Sequence, residues 1–148
     1  GIRAQLETMR AQRKLTDEQV EAVDVRAIVR FLQSLLAERI RASKQVEREY
    51  RFSLLRPVRD FAVVNSDDEV LLQGVVDAWF ETPDGLVIVD YKTDRIHPDA
   101  VPERTAYYAA QLRAYAGAMA RITGRPVCRR TLYFLHCCCS ADVPETDA

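Results

Sequence analysis

Two aspartates and a lysine occupy neighbouring strand-like segments of the sequence. Asp77 lies in the segment Val70–Glu81, and Asp90 and Lys92 lie in the segment Leu86–Thr93. Residues two apart in a strand point to the same face, so Asp90 and Lys92 share one face. Counting outward from the turn that joins the segments places Asp77 about opposite Asp90. The pattern therefore predicts two carboxylates and one ammonium group in a single small region.

This grouping of charges favours a divalent cation. Two facing carboxylates repel one another, and partial burial raises the penalty. Mg²⁺ prefers oxygen and commonly binds through one or two carboxylates, with water and substrate phosphate completing its shell. The bound metal can polarise a phosphodiester and activate water, while Lys92 orients that water or stabilises transition-state charge. The alternative is a plain salt bridge between Lys92 and an aspartate, since D-x-K is a common pattern.

Three helical segments precede the strands. The first covers Arg3–Lys14, and Thr16 with Gln19 forms a capping box for a short second helix. Asp24 can cap a third, longer helix. The apolar residues of this third helix recur at steps of three and four and are expected to face the core; they are Val25, Ile28, Val29, Leu32, Leu35, Leu36 and Ile40.

Alternating apolar and polar residues predict a strand over Val46–Leu55, ahead of the two segments that carry the aspartates. The sequence T-P-D-G at 82–85 predicts a tight turn, so those two segments form an antiparallel hairpin. Side chains alternate between the two faces of a strand, so within Val70–Glu81 we predict that Asp77 shares a face with Val75 and Trp79.

The second half of the chain returns to helical spacing over Arg104–Thr123, and Gly124 with Pro126 ends that helix. Val127–His136 is predicted to be the final strand. A strand–helix–strand passage of this length suggests that the strand joins the sheet in parallel. The predicted fold is α/β, a small central mixed sheet flanked by helices.

Length and charge limit the possible functions. The 148 residues suit one domain, with a helical lead-in at 1–45, a core at 46–136 and a flexible tail at 137–148. A net charge of −1 weighs against a stand-alone, high-affinity DNA binder, but it is compatible with a catalytic module that receives DNA from a larger machine. No apolar run is long enough for a membrane span and no signal peptide is visible, so a cytoplasmic location is expected.

The four cysteines are Cys128 and the run Cys137–Cys139, without a C-x-x-C pair. Adjacent residues cannot easily converge on one tetrahedral zinc ion, and an iron–sulfur cluster needs spaced thiolates. We expect reduced thiols at a strand end and in the tail.

Five segments together resemble a known family. G-V-V-D at 74–77 and V-D-Y-K-T at 89–93 resemble the restriction-endonuclease-like core of PD-(D/E)XK nucleases, and more narrowly the RecB-type domain at the C-terminus of the AddA chain of bacterial AddAB helicase–nucleases. E-Y-R-F at 49–52 resembles the E-x-x-F strand before that core. Y-A-A-Q-L-R-A-Y at 108–115 resembles the Y-x-x-Q-L-x-x-Y helix after it, and L-Y-F-L at 132–135 matches the closing strand.

The resemblance implies roles for four residues in catalysis. Asp77 and Asp90 match the metal ligands of the family, and Lys92 matches its catalytic lysine. Glu49 matches an accessory acid near the metal; the alternative is an ordinary surface glutamate. The implied cofactor is Mg²⁺, with Mn²⁺ as a substitute.

The resemblance also implies substrate contacts. Gln111 and Tyr115, four residues apart on one helix face, match positions that adjoin the active site and the DNA strand. Thr93 is a candidate phosphate contact, although in a strand it would point to the face opposite to that of Lys92. One departure is the histidine that RecB-type domains carry upstream, usually in a G-x-x-x-H setting. Here His97 and His136 both follow the hairpin; we expect either that the chain starts after that helix or that its site is incomplete.

The implied function is a Mg²⁺-dependent DNA exonuclease module of a helicase–nuclease that processes double-strand break ends for recombinational repair. Its implied partners are DNA and an AddB-type subunit. No association with a membrane is expected. ATP would serve only a helicase motor, and the sequence has no G-x-x-x-x-G-K-[ST] loop. Two alternatives stay open: a non-catalytic DNA-binding or subunit-docking module on a nuclease scaffold, and a stand-alone Cas4-like nuclease.

Overall fold

The computed structural model describes residues 1–146, which contain five α-helices and five strands. The helices are α1 Ile2–Ala11, α2 Asp17–Ala22, α3 Val25–Leu32, α4 Leu35–Ala42 and α5 Val101–Thr123, and the strands are β1 Val46–Pro57, β2 Glu69–Thr82, β3 Gly85–Lys92, β4 Val127–Phe134 and β5 Cys139–Asp142. Among these residues, no helix is both long and apolar enough to cross a lipid bilayer.

The strands form one sheet in the order β1-β2-β3-β4-β5. The first three are antiparallel neighbours, and β3 pairs with β4 in parallel. The helix α5 makes the crossover between β3 and β4, as parallel neighbours require. The predicted α/β class and small mixed sheet are therefore confirmed.

A tight turn joins β2 to β3. Thr82 pairs with Gly85, whose φ of 134° is a conformation that glycine adopts without strain. The Thr82 hydroxyl donates a 2.9 Å hydrogen bond to the Gly85 carbonyl oxygen. The register continues to the pair Ala78 and Val89, so the next two facing residues are Asp77 and Asp90.

The sheet separates two hydrophobic clusters. The cluster beneath α5 has buried residues from both the sheet and that helix, including Trp79, Leu86, Ile88, Leu112, Met119 and Phe134. The cluster on the opposite face is covered by α4 and includes Leu36, Ile40, Phe80, Val87, Val89 and Tyr133. Burial on both faces explains the unbroken apolar run of β3.

The third predicted helix is wrong in its length. It ends at Leu32, and Ser34 begins a new helix by accepting a 3.2 Å hydrogen bond from the Ala37 amide. The break shifts the helical phase, so Leu36 is buried whereas Leu35 is 78% exposed. A serine oxygen that caps a helix competes with continuation of the preceding one.

The flexible tail predicted at 137–148 is also wrong over its first part. Cys139–Asp142 forms β5, which pairs antiparallel with β4. Val143 follows it and is buried, and its amide donates to the Arg130 carbonyl at 2.8 Å. Burial of this valine offsets the ordering cost of the segment. The last part of the predicted tail, 147–148, lies outside the described residues.

Candidate active site

Asp77 lies where β2 changes the face that its side chains present. Val76 packs in the cluster beneath α5, whereas Ala78, two residues later, packs in the cluster on the other face. Opposite, Glu49 of β1 has a φ of 51° and interrupts the ladder between the pairs Arg48–Ala78 and Tyr50–Val76. Irregularities of this kind re-aim side chains in sheets.

The predicted alternation over this stretch is therefore wrong. Trp79 is buried beneath α5, but Val75 is 41% exposed and points away from that helix. The side chain of Asp77 reaches sideways to the next strand, where its Oδ2 accepts a 2.8 Å hydrogen bond from the Tyr91 amide. Asp77 still lies opposite Asp90, as predicted, because the hairpin register is set by the turn and not by which face each side chain of β2 points to.

The carboxyl group of Asp90, across the hairpin from Asp77, affects the ionisation of Asp77. Burial, followed by the neighbouring Asp90 carboxyl group, raises the pKa of Asp77 from 3.8 to about 6, against the opposing effects of the Tyr91 amide and Lys92. Asp77 therefore gives up its proton less readily than an isolated aspartate, as expected for carboxylates that share a site.

Lys92 lies at the end of β3, and its side chain is 15% exposed. Its Nζ lies 2.6 Å from Asp90 Oδ2 and donates a long 3.5 Å hydrogen bond to Gln111 Oε1. The same Nζ lies 3.9 Å from the centroid of the Tyr108 ring. The ion pair with Asp90 foreseen as the alternative does form, within a larger set of contacts.

Gln111 and Tyr115 share one face of α5, as predicted. Gln111 Nε2 donates to the Tyr115 hydroxyl at 3.3 Å. The Tyr115 ring meets Phe52 edge-on with centroids 5.2 Å apart, and it closes over Gly74. The helix thus brings an amide and a phenol to the same end of the sheet as the two aspartates.

Three other residues considered from the sequence, Glu49, Thr93 and His97, are exposed. Glu49 is exposed and, with Asp77, lines a shallow pocket on the α3 side of the sheet. Thr93 follows β3 and is exposed. His97 is 78% exposed and contacts Asp99, away from the aspartate pair. The roles predicted for Glu49 and Thr93 stay predictions.

Hard divalent cations fit the residues present. Within residues 1–146, no set of three or more His, Cys, Asp or Glu side chains is placed to hold a metal. The two carboxylates Asp77 and Asp90 match the number that Mg²⁺ commonly takes from a protein, since water and phosphate complete its shell. The raised pKa of Asp77 marks a place where added positive charge is favoured.

Comparison with known families agrees with this geometry. The model of the PD-(D/E)XK nuclease superfamily matches residues 2–145. The chain belongs to that superfamily. Its members generally use divalent metal ions.

Relatives that bear the name of the AddA chain of ATP-dependent helicase/nucleases confirm the narrower resemblance. The AddA chain from Acetivibrio thermocellus is 41% identical over 137 residues, which cover 89% of this chain and 11% of the relative. The one from Alkaliphilus oremlandii is 36% identical over 135 residues, and the one from Bacillus pumilus is 33% identical over 138 residues; they cover 89% and 87% of this chain. The chain spans 11% of the length of each of these relatives.

Three residues close to Lys92 were given no role from the sequence. Asp94, Arg104 and Tyr108 are linked by hydrogen bonds beside Lys92. Two spacings could have revealed two of them: Asp94 lies two residues after Lys92, and Tyr108 lies one helical turn before Gln111 on the same face.

Proposed function

We propose that this chain is the deoxyribonuclease module of an ATP-dependent helicase–nuclease and that it hydrolyses DNA phosphodiesters with Mg²⁺, or Mn²⁺ in its place. The observation that carries the proposal is the convergence of Asp77, Asp90 and Lys92 in a chain of the PD-(D/E)XK superfamily. Hydrolysis of a phosphodiester needs a cation-binding acid pair and a positive group close to it, and these three side chains supply both.

Each residue has a distinct part in the proposed reaction. Asp77 and Asp90 would hold the cation, which supplies polarisation of the phosphate and an acidified water when bound. Lys92, half-buried and paired with Asp90, would place a positive charge where the phosphate gains negative charge. Gln111, bonded to both Lys92 and Tyr115, would align the strand or the attacking water. Glu49 and Thr93 are proposed as an accessory acid and a phosphate contact.

Cleavage of a 5′-labelled single-stranded oligonucleotide by the whole chain tests the proposal. We expect cleavage with Mg²⁺ or Mn²⁺, none with EDTA, and loss of activity in Asp90→Ala and Lys92→Ala. Asp84→Ala, in the exposed turn of the same hairpin, should cleave like the wild type. Cleavage retained by both site variants would refute the assignment. If the wild type neither cleaves nor binds Mn²⁺ in calorimetry, the non-catalytic binding module becomes the better account.

The wider role proposed is exonucleolytic processing of double-strand break ends in the cytoplasm, for recombinational repair, in complex with an AddB-type partner. The support is that the relatives carry the words helicase/nuclease and subunit in their name. An exonuclease should degrade a linear single strand and spare a covalently closed circle of the same sequence. Equal cleavage of the two would exclude the exonuclease mode while leaving the nuclease assignment intact.

A further inference from the structure

The ring of Tyr108 lies directly beneath the ammonium group of Lys92. We propose that Tyr108 is a positioning residue for Lys92 and that Asp94 and Arg104 hold its ring in place. The inference rests on the proposed nuclease function. It assigns a task to three residues other than the acid pair, Gln111 and Tyr115.

The ring is fixed through its hydroxyl group. The Tyr108 hydroxyl donates to Asp94 Oδ1 at 3.1 Å and accepts a 3.1 Å hydrogen bond from Arg104 Nη2. Arg104 also donates to Asp94 Oδ2 from Nε at 2.9 Å and from Nη2 at 2.6 Å. The side chain of Asp94 is only 15% exposed, so these bonds are partly shielded from water. The three residues therefore form a closed network that restrains the tilt of the ring.

A lysine in this position needs such support. Its four-carbon stem is flexible, so the ammonium group samples many positions unless several contacts agree on one. The shortest contact is to Asp90, the carboxylate that would also serve a cation. The face of Tyr108 attracts the ammonium group through the ring quadrupole and uses no oxygen that a metal needs. The ring and Gln111 can thus hold Lys92 when Asp90 is shared.

Nuclear magnetic resonance of the metal-free chain tests the placement without any activity. The sequence has three lysines, Lys14, Lys44 and Lys92. A sample labelled with ¹³C-lysine therefore gives three sets of Hε–Cε signals. We expect the Lys92 signal to move upfield through the ring current of Tyr108, with Lys14 and Lys44 near random-coil positions.

Substitutions distinguish the effect of the Tyr108 ring from the effect of its hydroxyl group and from a general disturbance of the fold. Tyr108→Leu should abolish the upfield shift, Tyr108→Phe should keep most of it, and Asp94→Asn should reduce it. Phe61→Leu is the control, because Phe61 is an exposed aromatic residue between β1 and β2, outside the network of Asp94, Arg104 and Tyr108. The control should retain the shift. An unshifted Lys92 in the wild type, or equal loss in both leucine variants, overturns the inference.

Cleavage kinetics give the functional consequence. Tyr108→Leu should lower kcat by roughly 5- to 30-fold, the worth of one desolvated cation–π contact, with KM for the oligonucleotide little changed. Tyr108→Phe should recover most of the rate. Unchanged kcat in Tyr108→Leu overturns the positioning role even if the shift is present. A shifted Lys92 in a chain that does not cleave at all would instead count against the proposed nuclease function.

Discussion

Asp77 and Asp90 face each other across β2 and β3, and the Asp90 carboxyl group, together with burial, raises the pKa of Asp77. The metal-free protein therefore carries, side by side, two acids that resist ionising together. Keeping both carboxyl groups therefore costs the metal-free fold some stability.

Replacing Asp77 by asparagine should stabilise the metal-free protein at neutral pH. The pKa of Asp77 is raised in the fold from 3.8 to about 6, so its contribution to stability is full below about pH 4 and is lost as pH rises through about 6. An amide does not titrate and can still accept from Tyr91 and donate to Asp90. We expect Asp77→Asn to melt above the wild type at pH 7 in EDTA and the difference to shrink towards pH 4. Calorimetric scans at both pH values measure this.

Added Mn²⁺ should reverse the difference in melting temperature between the wild type and Asp77→Asn. The wild type should gain melting temperature with the metal and Asp77→Asn should gain little, because a ligand that binds only the folded state stabilises it. Equal stabilisation of both proteins would exclude Asp77 as a ligand.

Gly74→Ala should destabilise the fold and disturb the Gln111–Tyr115 pair. An added Cβ would lie 2.8 Å from Tyr115 Cζ and 2.9 Å from Phe52 Cζ, so one ring must move. We expect a loss of about 1–3 kcal/mol in chemical denaturation. The control is Gly117→Ala in α5, where the nearest atom would be Arg56 Nη1 at 3.5 Å. Removing a glycine from a helix interior should there raise stability by about 0.5–1 kcal/mol.

Glu49→Gly should make the protein more stable, because Glu49 has a φ of 51° that glycine tolerates. We expect a gain of about 1 kcal/mol and a melting temperature a few degrees higher. Cys138→Gly, at a φ of 56°, is a matched control with the same backbone benefit. If Glu49 is the accessory acid, only Glu49→Gly loses cleavage activity. Full activity in both variants would exclude Glu49 as an accessory acid and leave it as an ordinary surface residue.

A chain ending at residue 138 should be less stable than one ending at residue 146. The shorter chain lacks β5, the buried Val143 and the 2.8 Å hydrogen bond from the Thr131 hydroxyl to Asp142 Oδ1. Burial of the valine alone is worth about 1.5–3 kcal/mol. Urea denaturation of the two chains measures the difference; coincident curves would mean that β5 adds nothing.

Much of the fold was predictable because its signals are local. The capping box at Thr16 and the cap at Asp24 form as predicted, and Gly124 ends α5 with a φ of 68°. The hairpin turn at 82–85 fixed the register that sets Asp77 opposite Asp90. Each of these features depends on a few adjacent residues, so packing elsewhere does not override it.

The errors come from interactions between distant residues. A serine such as Ser34 is compatible with a helix interior as well as with a cap, and tertiary packing decides between them. The face change at Asp77 depends on the backbone of Glu49, which the alternation of apolar residues does not encode. The network of Asp94, Arg104 and Tyr108 requires the helix to lie on the sheet, and spacing alone gives no orientation.

The hydrogen bond from the Tyr91 amide to Asp77 makes one backbone proton a reporter of the site. On the edge of β3 that faces β2, Val89 pairs with the backbone of Ala78, whereas the Tyr91 amide is bonded to the side chain of Asp77. Its rate of exchange with deuterium therefore measures how firmly the Asp77 carboxyl group is held. A single amide can thus record occupancy of the acid pair on a time scale of minutes to hours, in a protein that need not be turning over DNA.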